Sequence, residues 1–222
     1  MELFPRKKTI FYPGNTLTKY FPEIVQNWKS ILSDFGIQYE LIEDLNTGWA
    51  LWDQGYQKEY LEHQQALKER LKQDRVGEVI TCSPEAAFML KTFHPEIKAK
   101  HTTELVYENL LKVQPFNSEE ACFHDNTTQV RRNNIVQQPR EILKKAGFDL
   151  KEFDDCKKKT PCLGTSTGLI NNSPRLSAKL AMRRAQKAPA KLIITDSPED
   201  YLHFKRSTTA NVSEMSEVLV EI

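Results

Sequence analysis

Cys162 comes nearest to covalent chemistry by type and setting. It stands in "TPCLGTSTG", a glycine-bearing loop, where a nearby helix start would lower its thiol pKa enough for attack on a disulfide. No second cysteine is placed to resolve the mixed disulfide that would follow. The plainer reading is therefore a small residue left in a loop. His124, Asp125, Asp196, Asp200 and His203 form a second set. Several follow predicted strand ends, and Asp200 and His203 share a helix face, a pattern that could hold zinc or a hard cation. Against this stands capping and loop hydrogen bonding, which the same residue types perform. "NTG" at 46–48 and "TSTG" at 165–168 could offer backbone N–H groups to an anion, although neither matches a nucleotide-binding glycine pattern. Trp28, Trp49 and Trp52 read as packing residues, the last two beneath a loop.

One phrase occurs twice and organises the chain. "VITCSPEAAF" at 79–88 and "IITDSPEDY" at 193–201 share a β-branched run, a Thr and Ser-Pro-Glu. The strand ends, the polar residue caps a helix, and Pro suits that helix's first turn. Around the first copy, "KTIFYPG", "IQYELIE", "EVITC" and "IKAKH" read as strands. Helices between them carry inward faces at Ile24, Val25, Trp28, Ile31, Leu32 and Phe35, and at Tyr60, Leu61, Leu67 and Leu71. Further helices run over 86–93 and from Thr103. The second half repeats this order, with strands in "EEACFHD", "FDLKEF" and "KLIITD" and helices in "QPREILKKAG", "SPRLSAKLAMRRAQKA" and "SPEDYLHFKR". The alternation predicts an α/β protein of two pseudo-symmetric Rossmann-like lobes, residues 1–115 and 116–222, each a parallel sheet flanked by helices. In such sheets ligands sit beyond the carboxyl ends of the strands. The loops at Asn15, 46–48, 83–85, 126–128, 161–164 and 197–199 should converge there.

Composition narrows the classes. At 222 residues with 39% hydrophobic and 27% charged residues, the chain can bury a core of ordinary globular kind. The formal net charge of +1 gives no field for nucleic acid or an anionic membrane surface. Lys157–Lys159, next to Asp154 and Asp155, reads as a solvated loop. No apolar run approaches the ~20 residues needed to cross a bilayer, and "MELFPRKK" lacks a secretory apolar segment, so a cytoplasmic location without membrane insertion is expected. Four cysteines without a CxxC pair are expected as free thiols there.

Read in order, "FYPGN", "NTGWALWDQG", "VITCSPEAAFMLKTFHPEIKAKHTTEL", "HDNTTQVRR", "QPREILKKAGFDLKEF", "PCLGTSTG" and "IITDSPEDY" resemble the tandem cysteine-rich (CCG) domain pair. That pair occurs in heterodisulfide reductases, lactate-utilisation iron-sulfur oxidoreductases and anaerobic glycerol-3-phosphate dehydrogenases. The resemblance runs from about residue 9 to about residue 218. It implies a thiolate-rich site for an iron–sulfur cluster, but the positions it assigns as ligands hold Asn15, Asn46, Thr47, Ser83 and Ala86 in the first repeat. In the second they hold Thr127, Cys162, Leu163, Ser197 and Asp200. A cluster normally takes about four thiolates, and neutral amides and hydroxyls do not replace them. The resemblance thus implies a cysteine-depleted member without its own cluster, its Ser-Pro-Glu turns kept from ligand turns. The expected role is a non-catalytic subunit or scaffold among redox partners. Two alternatives stay open: an oxidoreductase using Cys162 or a cluster shared with a partner, and a small-molecule binding module with a polar inter-lobe cleft. No resident metal is expected.

Overall fold

The computed structural model describes residues 7–115 and 118–220. The expected boundary between residues 115 and 116 meets positions 116–117, outside the described residues. The first sheet and its helices run in chain order as β1 (Lys8–Tyr12), α1 (Asn15–Tyr20), α2 (Pro22–Asp34), β2 (Glu40–Leu41), α3 (Trp49–Asp53), α4 (Gln57–Gln73), β3 (Val76–Thr81), α5 (Pro84–Phe93), β4 (Lys98–His101) and α6 (Thr102–Glu108). The second half follows as β5 (Glu120–His124), α7 (Thr127–Arg131), α8 (Gln138–Lys145), β6 (Asp149–Lys151), α9 (Leu169–Asn172), α10 (Pro174–Gln186), β7 (Leu192–Thr195), α11 (Pro198–Ser207) and β8 (Asn211–Glu214). Two four-stranded sheets result, in the orders β2-β1-β3-β4 and β6-β5-β7-β8. Every pairing is parallel. The α/β class with two equivalent lobes is what the alternating pattern predicts.

Parallel strands are covered on both faces, so their residues read as continuous apolar runs. "LIIT" of β7 is buried at all four positions. The lobes join through equivalent surfaces used reciprocally. Helix α5 of the first lobe packs on α7 of the second, and α11 of the second packs on α1 of the first. In the same way α6 meets α8, and the 3-10 turn Met215–Val218 meets α2. Such a contact behaves as an isologous interface within one chain. Phe11 and Trp28 share one apolar cluster with Phe123 and Phe204, so the largest core crosses the junction.

Trp28 adds a directed tie, its Nε1–H donating to Glu214 Oε1 at 3.2 Å across that junction. Both groups are buried, and leaving a buried hydrogen-bonding group without its partner costs about 1–3 kcal/mol. Trp28→Phe keeps most of the ring's packing and is expected to lower stability by that amount in urea unfolding.

Several expectations need correction. The segment expected as the strand "IQYELIE" pairs only over Glu40–Leu41, and "FDLKEF" only over Asp149–Lys151. "NVSE" is an eighth strand, absent from the expected set. Trp49 and Trp52 do not lie beneath a loop; they form α3 itself, against Phe88. Leu61 is 62% exposed. On α4 the buried positions are Tyr60, Leu67 and Leu71, a narrow stripe, and Leu61 lies about 100° round the helix from Tyr60.

Candidate active site between the lobes

The two Thr-x-Ser-Pro-Glu copies fold into the same local device. Thr81 Oγ1 accepts from Ser83 N–H at 3.1 Å, and Thr195 Oγ1 accepts from Ser197 N–H at 3.3 Å. Ser83 Oγ then accepts from Ala86 N–H and Ser197 Oγ from Asp200 N–H, each at 3.3 Å, capping α5 and α11. Pro occupies the first turn of both helices, where no N–H is missed. Glu85 and Glu199 thereby stand at equivalent places beside the N-termini of two helices, on opposite lobes.

Their partners come from the opposite lobe. Glu85 accepts from Ser166 Oγ at 2.8 Å and lies beside the hydroxyl of Thr128 on α7. Glu199 lies beside the hydroxyl of Thr16 on α1. Thr16 and Thr128 follow β1 and β5 at matching distance, counted from Phe11 and Phe123, so the exchange obeys the internal symmetry. Glu199 Oε2 is shut off from solvent and has no hydrogen-bond partner among the described residues.

Both acids line a cavity of about 200 Å³. Tyr12, Asn15, Asn46, Thr47 and Ser83 line it from the first lobe, with Trp49 and Ala50 as an apolar wall and Thr165 from the second. Tyr12 ends β1 and the others lie in the connections that leave the carboxyl ends of strands, where open parallel sheets place ligands. Burial is the main cause that pushes Glu199 up to about 8, with the charge of Glu85 adding to it. Burial likewise raises Glu85, partly offset by Ser166, while Asp200 adds to the rise. Asp200, beneath them, behaves oppositely. Burial pushes it up, but hydrogen bonds from His124, Thr165 and Asn126 more than offset this and hold it below the usual range. His124 Nδ1 accepts from Arg184 Nε, which leaves Nε2 as the proton-bearing nitrogen facing Asp200 Oδ2 at 3.4 Å. At neutral pH the arrangement therefore offers a carboxyl proton on Glu199, a second carboxyl, Glu85, in the same pocket and the Asp200 carboxylate just behind it. That is equipment for general acid–base chemistry.

Asn15, Asn46, Thr47, Ser83 and Ala86 are brought together on this cavity. Ser197 and Asp200 lie just behind it through Asn126, at 3.2 and 2.9 Å. Thr127 begins α7 and Leu163 is buried, its carbonyl accepting from Ser177. Neither lines the cavity. Nor does Cys162, whose sulfur accepts from Gly164 N–H at 3.2 Å. The His and Asp set is dispersed. Asp125 binds Arg140, Asp196 binds Thr103 and Gln129, and His203 binds Ser177. No group of three or more His, Cys, Asp or Glu side chains among the described residues could hold a metal ion. Glu85 and Glu199 lie inside the repeated motif but are absent from the expected site residues. The available signal was an acid at the same step of both copies.

No protein-family model matches the chain, and no curated relative matches it. Among solved structures it is similar to glutamate racemase from Francisella tularensis, at 12% identity and a TM-score of 0.44 over 97% of this chain and 78% of that one. It is also similar to a putative Asp/Glu racemase from Yersinia pestis, at 11% and 0.41 over 96% of each chain. Aspartate racemase from Picrophilus torridus matches at 11% and 0.41 over 96% of this chain and 91% of that one. Identities and TM-scores this low bring no activity or substrate to the chain.

The resemblance to the cysteine-rich domain pair is overturned, and the redox role falls with it, both as scaffold and as Cys162 or shared-cluster oxidoreductase. The similar structures are named as racemases, and no family model of the pair matches. Cys82 and Cys122 are fully buried, and burial pushes both thiols up. All four cysteines are free: Cys82 follows β3, Cys122 is on β5, and Cys156 and Cys162 lie in the connection between β6 and α9. The donors at the supposed ligand positions are amides, hydroxyls, one carboxylate and the single thiol of Cys162, which fit no iron–sulfur cluster. The Ser-Pro-Glu turns are explained by their own capping and by the acids they deliver.

Proposed function

We propose that the protein is an enzyme that moves protons on a small molecule held between the lobes, using Glu85 and Glu199 as an acid and base pair. The observation that carries this reading is the symmetric delivery of two carboxyls into one cavity, Glu85 buried and Glu199 part-buried, with the Oε2 of Glu199 shut off from solvent and unpartnered among the described residues. Burying such groups unpaired costs stability, and a site of proton transfer gives that cost a purpose. The reading draws on the chain's own carboxyls. Its setting includes the division into lobes 1–115 and 116–222, supported by one sheet in each, and a cytoplasmic location, supported by four free thiols. No helix among the described residues is long and apolar enough to cross a membrane.

Carboxyl-selective ¹³C NMR of glutamate-labelled protein tests the reading. Two side chains are expected to titrate near pH 8: Glu199, and Glu214, which burial pushes up to about 8 near the junction. Glu199→Gln should remove one of the two resonances and lower the titration of Glu85. If no high-titrating resonance disappears, Glu199 does not hold a proton at neutral pH and the acid of the pair is missing.

A further inference from the structure

The substrate's charge can be read from the same cavity. No Lys, Arg or His lines it among the described residues. Of the basic groups next to its walls, His63 spends Nε2 on the Asn46 carbonyl at 2.8 Å, and the guanidinium of Arg132 lies over the rings of Trp52 at 4.7 Å, Phe88 at 5.0 Å and Trp49 at 5.9 Å, its charge acting on Asp53. A phosphate or carboxylate entering the cavity would meet two carboxyl groups and no counter-charge, and either acid repels it whenever it is ionised.

What the cavity does offer is neutral hydrogen bonding of fixed polarity. Tyr12 donates to Asn15 Oδ1 at 3.1 Å, and Gly48 N–H donates to Asn46 Oδ1 at 2.9 Å. Each bond occupies the amide oxygen and leaves the NH₂ group of Asn15 and of Asn46 for an incoming acceptor. The hydroxyls of Thr47, Ser83 and Thr165 add further polar groups, and Trp49 with Ala50 gives a patch for C–H groups. Amide donors suit a carbonyl oxygen that gains charge during reaction.

We propose that the pocket takes a small, neutral, polyhydroxylated carbonyl compound and rejects its phosphorylated or carboxylated counterparts. This rests on the acid–base reading of Glu85 and Glu199. One carboxylate removes the proton from the carbon beside the carbonyl while the neutral partner gives its proton to the carbonyl oxygen, forming an enediol. Return of a proton to carbon and of another to the acid completes the cycle without any oxidant or reductant. Groups facing Glu199 include Glu85 from α5, Asp200 from its own helix, Tyr12 from β1 and Cys82 after β3. None of these is a cation at neutral pH.

The test uses the intact protein in D₂O with dihydroxyacetone and erythrulose as neutral probes, and dihydroxyacetone phosphate and hydroxypyruvate as anionic ones. Binding is read by ligand-observed NMR and exchange by loss of the C–H signal. The neutral probes should bind at least about tenfold more tightly than the anionic ones. Tighter binding of the phosphate or the carboxylate, or no binding of either neutral probe, overturns the assignment of substrate class. The two readings fail separately. Selective neutral binding with exchange unchanged in Glu199→Gln supports the class while removing the acid–base role. Anionic probes that bind tighter and exchange only in the wild type do the reverse.

Discussion

Replacing Glu199 by Gln is expected to make the protein more stable at pH 8 and to cut its proton-exchange activity by about a hundredfold or more. The sign of the stability change follows from linkage. Burial raises Glu199 from its ordinary 4.5 to about 8, so the folded chain keeps a proton that the unfolded chain releases. The contribution is complete below about pH 4.5 and is lost as pH rises to about 8, because there the folded chain must ionise a buried acid. Gln is of nearly the same size and never ionises. The variant should match wild type near pH 4.5, lose the share of the downward slope between 4.5 and 8 that Glu199 adds to that of Glu214, and finish on the order of 4 kcal/mol ahead. Urea unfolding at a series of pH values reads the slope directly. A gain in stability with a loss of activity is the mark of a group kept for chemistry at the expense of the fold. An unchanged slope would mean that Glu199 ionises as freely as it does in water. Unchanged exchange would mean that the proton moves elsewhere.

The repeat shows where the sequence was informative and where it was not. A β-branched run followed by Thr-x-Ser-Pro-Glu carries its own turn, cap and helix start, so β3–α5 and β7–α11 could be read from adjacent residues. The parallel sheets followed from the alternation of these units. Edges were less legible. β8, "NVSE", has one large apolar residue, Val212, and becomes a strand only because β7 offers it a ladder. "IQYELIE" has the apolar pattern of a longer strand, yet its β1 ladder covers only Ile10–Glu40 and Phe11–Leu41. The site was legible as a set of loops but not as chemistry. Asn15, Asn46, Thr47 and Ser83 do meet, because strand ends fix them. The role of the two glutamates depends on burial and on hydroxyls from the opposite lobe, interactions between residues far apart in the chain. Placing the motif on a thiol pattern turned attention to its Ser, Ala and Asp positions and away from the acid they share.

Arg140→Met is expected to cost about 3–5 kcal/mol, because it strands a charge that no solvent reaches. Asp125 is fully buried and takes both terminal guanidinium nitrogens of Arg140 at 2.8 Å. Glu152 shares the same guanidinium at 2.6 and 2.9 Å, and Val136 accepts from it as well. The pair also positions the site. Asp125 accepts Lys157 N–H through its carboxylate and the Thr160 hydroxyl through its carbonyl. It therefore ties the end of β5, which leads to Asn126 and Thr128, to the loop that leads to Thr165 and Ser166. Adding Asp125→Asn to Arg140→Met removes the stranded charge and should recover roughly half of the loss, since a neutral amide is cheaper to bury than a carboxylate. Urea unfolding of both single variants and the double variant gives the coupling between the two residues. If the double variant is no more stable than Arg140→Met alone, the buried charge is not the source of the cost. The same variants test the tie to the site: loosening these loops lets water into the cavity, so Glu199 should titrate below about 8 in Arg140→Met, and an unmoved Glu199 would mean that the loops hold the cavity without the pair.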